Sequence, residues 1–251
     1  MIDFKDKNVL ITGGTRGIGA ACVKLFYQAN ANVAFTFRTQ KEIAKKISNE
    51  CFGKGKNIYR QVDVSSEQEI NDAVGHFIKE LGTIDILVNN AGIWEYGAAD
   101  SMTLENWERT IRINLTSMFI FTKAVLPQMV KNNYGKIINV SSTAGQRGEA
   151  FHSHYAASKG GMISYTKSLA AEFGKYNINI NCVAPGWVDT DMCTEVFSDL
   201  EYKEKVRKDI PIGRIATAED IAGPILFLAS DLARHINGEI LNVNGGSILC
   251  G

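Results

Sequence analysis

Short β-branched, almost wholly apolar runs alternate with longer amphipathic stretches from one end of the 251-residue chain to the other. Segments 9–11, Asn32–Phe37, 58–64, 84–88, 136–140, 178–183 and Ile240–Val243 read as strands. Most are too uniformly apolar for a sheet with one wet face, and suit a parallel sheet covered by helices on both sides. Between them, 17–29, 39–51, Glu67–Leu81, 104–130, 153–175 and Ala218–Ala229 carry helical periodicity. Thr217, with Glu219 and Asp220 after it, marks the last of these starts as an N-cap followed by acids that suit the helix dipole. The long strandless segment 189–210 is charged and helical in pattern, and is expected to act as a lid. Repeated strand–helix alternation predicts a doubly wound sheet whose ligands sit beyond the carboxyl ends of the strands.

Composition narrows the class. Hydrophobic residues make up 45% and charged residues 22%, which excludes disorder. Lys plus Arg and Asp plus Glu are each 27, so no global charge draws the chain to nucleic acid or to an anionic membrane. Cys22, Cys51, Cys182, Cys193 and Cys250 are scattered and form no C-x-x-C pair, which points to reduced thiols and a cytoplasmic protein. The charged first residues do not read as a signal peptide, and no window approaches the roughly 20 apolar residues of a membrane span. His152 and His154 have only His76 and His235 as companions, with no acid at ligand spacing, so no metal site is expected. They line a pocket mouth or cap the helix that follows.

Two clusters carry chemistry. Thr12-Gly-Gly-Thr-Arg-Gly-Ile-Gly19 follows a strand and opens a helix, the context in which backbone N–H groups and the positive helix end accept a pyrophosphate. A side chain at Gly17 or Gly19 would hold backbone from phosphate, or helix from sheet. Arg38 closes the second strand where an acid would bind a ribose 2′-hydroxyl; with Arg16, it favours the 2′-phosphate of NADP(H) over NAD(H). Asp63 reads as an adenine contact or as a turn former. Asn89-Asn-Ala-Gly92 ends the fourth strand with small residues that admit a cofactor, and with amides that tie strands.

The second cluster is Ser142 with Tyr155 and Lys159. Tyr and Lys four apart share one helix face. An ammonium beside a phenol stabilises the phenolate, so Tyr155 can exchange a proton with an alcohol or alkoxide. Ser142 would support the charge on the substrate oxygen. Asn114, polar within a helix, would hold a water feeding protons to Lys159. Together the clusters imply hydride transfer between a nicotinamide and a carbonyl or alcohol. Trp94 and Trp187 floor the substrate pocket or pack its rim, and Arg147 and Glu149 are substrate contacts or a surface pair.

T-G-G-x-x-G-x-G, N-N-A-G, the helix Asn, S…Y-x-x-x-K and Pro185-Gly186…Thr190 together resemble the short-chain dehydrogenase/reductase family over nearly the whole chain. The resemblance implies one Rossmann-type α/β domain, 1–251, with a doubly wound parallel sheet of about seven strands and helices on both faces. It implies a catalytic tetrad of Asn114, Ser142, Tyr155 and Lys159. It assigns the cofactor to Gly13, Thr15, Arg16, Gly17, Ile18, Gly19, Arg38, Thr39, Asp63, Val64, Asn90, Ala91, Gly92, Tyr155, Lys159, Pro185, Gly186, Val188 and Thr190. Lys159 would hold the nicotinamide ribose, and Val188 and Thr190 the carboxamide. A homotetramer is the implied assembly.

Within the family the chain is similar to reductases of 3-oxoacyl chains carried by acyl carrier protein. The segments concerned are Asn181–Gly186 (Asn-Cys-Val-Ala-Pro-Gly), Asp189-Thr-Asp-Met192, Pro211-Ile-Gly-Arg214 and Asn242-Val-Asn-Gly-Gly246. Asn133 and Tyr176 stand where those enzymes tend to carry basic residues, which leaves Lys131, Lys136 and Lys175 to receive an acidic carrier. Gly92-Ile-Trp-Glu-Tyr96 resembles instead the sugar and polyol dehydrogenases. A protein that senses NADP(H) without turnover would have lost part of the tetrad, and all four residues are present.

Overall fold

The apolar runs pair as a single parallel sheet in a computed structural model that describes residues 2–50 and 55–249. Its strands are β1 (Asn8–Ile11), β2 (Asn32–Phe37), β3 (Asn57–Gln61), β4 (Ile86–Asn89), β5 (Gly135–Val140), β6 (Ile178–Pro185) and β7 (Ile240–Val243). They lie in the order β3-β2-β1-β4-β5-β6-β7, every pair parallel. The order reverses between β1 and β4, and a crevice opens there beyond the strand ends, as doubly wound sheets require.

Alternation along each strand divides the core. Val9 and Ile11, Val33 and Phe35, Ile86 and Val88 pack on one face under α1 (Gly17–Gln28), α2 (Lys41–Glu50) and α9 (Ala218–Ala229). Leu10, Ala34, Leu87 and Ile137 point to the other, under α3 (Glu67–Leu81), α5 (Ser117–Asn132) and α7 (Ser153–Phe173). Thr217 and Asp220 close the expected capping box at the start of α9. Cys22, Cys182 and Cys193 are free and buried. Cys51, the last residue of the expected 39–51 helix, and Cys250 lie outside the described residues.

Two expectations change in the structure, and a third segment, strandless and helical as expected, gains detail. The 104–130 helix is two helices, α4 (Leu104–Ile111) and α5, joined by a π turn at Arg112–Thr116. The wider turn carries Asn114 inward to complete burial, and Pro127 is accommodated inside α5. The strand expected at 58–64 stops at Gln61, because Asp63 turns the chain by accepting hydrogen bonds from the Ser65 N–H (2.9 Å) and hydroxyl (2.7 Å). The segment after β6 holds two 3₁₀ turns and α8 (Leu200–Asp209), packed on a small core of Cys193, Phe197, Val206 and Ile210.

Buried amides fasten the middle of the sheet to its helices. Asn89 on β4 donates to Thr122 of α5 (3.1 Å) and to Asn139 of β5 (2.9 Å), and Asn139 donates to Thr166 of α7 (2.9 Å). Asn139→Leu strands the Asn89 and Thr166 groups away from water, at roughly 1–3 kcal/mol for each orphaned group. Urea unfolding should show that loss as a lower midpoint with an unchanged slope.

Candidate active site

The phosphate turn is built by β1 ending and α1 beginning within six residues. Gly13 (φ 70°) and Gly17 (φ 49°) take left-handed backbone that a side chain would strain. A Cβ on Gly19 would lie 2.1 Å from the Gly13 carbonyl oxygen, so α1 can approach the turn only because that position is bare. The turn is held from below: the Thr12 hydroxyl accepts from the Asn90 and Ala91 N–H groups (3.0 and 2.9 Å). The Asn90 amide donates to the Thr12 and Gly13 carbonyls (3.0 and 3.2 Å). Asn89 at the end of β4 and Asn90 after it thus tie strands, as expected.

A cleft of about 320 Å³ runs from this turn across the strand ends. Gly13, Thr15, Arg16, Gly17, Ile18, Arg38, Thr39, Asp63, Val64, Asn90, Ala91, Gly92 and Thr190 line it. Arg16 and Arg38 stand exposed at its rim. Asp63 is both turn former and cleft wall, its carboxyl held low by the Ser65 hydrogen bonds and then by the Arg38 charge. Gly19 lies beneath the turn. The bare glycines, the open N–H groups and the two free guanidinium groups fit a dinucleotide with its phosphates at the α1 terminus.

A second cavity of about 130 Å³ continues the cleft, sharing Ile18, Asn90, Gly92 and Thr190. Ser142, Tyr155, Lys159, Pro185, Gly186 and Val188 line it, together with Trp94, Arg147, Glu149, Trp187, Met192 and Cys193. Ser142 follows β5 and its hydroxyl faces the Tyr155 phenol. The Lys159 ammonium donates to the Val140 carbonyl at 2.7 Å and lies 5.7 Å from the Tyr155 ring centre. Asn114 sits behind Gly92, accepting from the Ile93 N–H (2.8 Å) and donating to the Ile93 carbonyl (3.0 Å) and Ser158 (3.1 Å). Its side chain clamps the loop after β4 to α7.

Desolvation acts on both members of the expected proton-transfer pair. Burial raises the Tyr155 phenol above its usual range, and Ser142 offsets only part of that. Burial lowers Lys159 to about 8. The site therefore holds a protonated phenol beside an ammonium that titrates within reach of neutral pH.

The open alternatives resolve residue by residue. Trp94 and Trp187 both wall the cavity, edge to face at 5.9 Å. Arg147 and Glu149 both line it and make no ion pair with each other within 4 Å. His152 stacks on the cavity residue Trp94 at 4.4 Å without lining the cavity itself, and its side chain makes no cap hydrogen bond. His154 is turned into the interior, 1% exposed, against Gly97, and burial holds its imidazole below the usual range. Met192 and Cys193 escaped the sequence reading; they follow Thr190 into the same loop. Lys136 is no landing site, being 2% exposed with its ammonium 2.6 Å from Asn179. Lys131 and Lys175 precede β5 and β6, at the sheet edge opposite Tyr155 and, by strand rise, roughly 20 Å from it.

A parallel doubly wound sheet with a bare phosphate turn and a Ser–Tyr–Lys cavity at its switch point defines a dinucleotide-dependent oxidoreductase class. A family model described as enoyl-(acyl carrier protein) reductase matches residues 13–247. The chain is 39% identical to the 3-oxoacyl-[acyl-carrier-protein] reductase of Aquifex aeolicus over 98% of both chains. It is 40% identical to that of Chlamydia muridarum over 96% of this chain and 97% of the relative. To that of Escherichia coli it is 38% identical over 98% of both. The chain belongs to the short-chain dehydrogenase/reductase family, and is an oxidoreductase that uses a nicotinamide cofactor. Among the described residues, no helix is long and apolar enough to cross a membrane.

Proposed function

We propose that this enzyme uses NADPH to reduce the ketone of a 3-oxoacyl thioester to a secondary alcohol. The observation that carries the reading is the convergence of Ser142, a protonated Tyr155 and Lys159 on one cavity continuous with an arginine-rimmed dinucleotide cleft. When bound, the nicotinamide supplies the hydride. Ser142 donates to the carbonyl oxygen and orients it. Tyr155 gives its proton to the oxygen as negative charge develops there. Lys159 holds the ribose and, as an ammonium, eases loss of that proton. A phenol kept protonated by burial has a proton to give, and the Lys159 ammonium beside it offsets part of the cost of losing it. The homotetramer implied by the family resemblance, and the cytoplasmic location read from the scattered cysteines, go with this reading.

An NADPH-oxidation screen tests it. Acetoacetyl thioester should be consumed and yield the 3-hydroxy product, while crotonyl thioester, with a carbon–carbon double bond, should not. Turnover confined to sugars or polyols would overturn it in favour of the dehydrogenase alternative. A pH profile adds a second check. Lys159 is charged below about 8 and neutral above it, so kcat/KM for reduction should fall as pH rises through that value. Lys159→Arg stays charged and should abolish this fall, whatever its absolute rate.

A further inference from the structure

Glu149 has no part in the proton transfer, yet it lines the same cavity as Ser142 and Tyr155. It follows α6 (Ala144–Arg147) and Gly148, whose φ of 78° turns the chain back over the cavity. Only 18% of its side chain remains exposed. An ionised carboxylate offers about four acceptor sites, and burial without donors is costly. The protein supplies few. The Trp94 indole N–H donates to the carboxyl group. His152 Nδ1 stands 3.8 Å from Oε1, an ion pair when the imidazole is charged but beyond hydrogen-bond reach, and lies 3.0 Å from the Ala150 carbonyl. Burial raises the Glu149 carboxyl above its usual range. Arg147 makes no ion pair with it within 4 Å.

The walls around it are rigid. Trp94 is pinned by stacking on His152, and Trp187 is pinned by Phe197 (5.4 Å) and Tyr202 (6.2 Å). A plain hydrocarbon chain laid in this cavity would add no donor and leave the Trp94 N–H as its one direct hydrogen-bond partner. We infer that Glu149 determines substrate choice by accepting a hydrogen bond from an N–H or O–H group carried beyond the reacting carbonyl. That assignment rests on the reductase reading above. The donor has two chemical sources: the amide of a pantetheine-type arm, or a hydroxyl of a polyhydroxylated ketone.

Three ketones separate them. Acetoacetyl-N-acetylcysteamine carries an amide N–H, erythrulose carries hydroxyls, and ethyl acetoacetate carries no donor. Measured on wild type, Glu149→Gln and Glu149→Leu, the readout is kcat/KM for each donor-bearing ketone divided by that for ethyl acetoacetate. For one donor-bearing ketone this ratio should fall about 10- to 150-fold in Glu149→Leu, the range spanned by a hydrogen bond to a charged group. Glu149→Gln, which keeps one acceptor oxygen, should lose less. The ketone whose ratio falls identifies the source. Constant ratios in both variants overturn the assignment, whether all rates drop together or none does. Should the leucine variant fail to fold, the near-isosteric glutamine variant still reads the ratio. Wild type that consumes none of the three ketones overturns the reductase reading itself, a result distinct from constant ratios among active variants.

Discussion

Tyr155→Phe is expected to lower turnover by about 100- to 10,000-fold, the range for a lost general acid, while the cofactor still binds nearly as before. The substitution removes one oxygen from a side chain 9% exposed in the cavity wall, and the ring keeps its packing. What disappears is the only phenol lining that cavity among the described residues, and the partner of the Ser142 hydroxyl. Ser142 keeps a local bond through its oxygen, which accepts from the Ala144 N–H at 3.1 Å, so the loop should hold its shape. Steady-state NADPH oxidation gives the turnover, and fluorescence titration gives the coenzyme dissociation constant. An unchanged melting profile guards against misfolding. Near-normal turnover by the folded variant would remove Tyr155 from the proton-donor role.

Much of this architecture was legible in the residues themselves. A uniformly apolar strand such as 9–11 announces burial on both faces, and the observed sheet is parallel and doubly covered. The glycine spacing after β1 announces a turn too tight for side chains, and the Gly19 contact with the Gly13 carbonyl shows why. Other features need the third dimension. A π turn adds one residue to a helical turn without altering local composition, so the pattern across 104–130 cannot distinguish it from a continuous helix. Lys136 looks like a surface cation in sequence, but β5 is an interior strand between β4 and β6 and its ammonium is buried against Asn179. His152 and His154 are two residues apart, yet the start of α7 sets one against Trp94 and turns the other into the interior. The spacing of Tyr155 and Lys159 shows the pair but not its desolvation, which raises the phenol and lowers the ammonium once both are buried.

Coenzyme choice should follow Arg38. Its side chain is exposed at the cleft rim and forms no ion pair within 4 Å among the described residues, whereas its backbone carbonyl accepts from Gln61 (2.9 Å). Arg38→Ala thus removes a free guanidinium and leaves the edge of the sheet tied. A 2′-phosphate would lose a charge-assisted partner worth roughly 1.5–3 kcal/mol, about 10- to 150-fold in affinity. Asp63 adds to the effect, since its carboxylate already feels the Arg38 charge and would face the phosphate unscreened once that charge is gone. NADH carries a neutral 2′-hydroxyl and meets neither penalty. Titration of both coenzymes should therefore show NADPH weakened far more than NADH, and the gap should narrow with added salt because the site is open to solvent. Arg16, the N-cap residue of α1 on the same rim, can supply part of the missing charge. The Arg16→Ala, Arg38→Ala double variant should accordingly lose more NADPH affinity than Arg38→Ala alone. Equal weakening of the two coenzymes in both variants would show that these arginines do not read the 2′-phosphate.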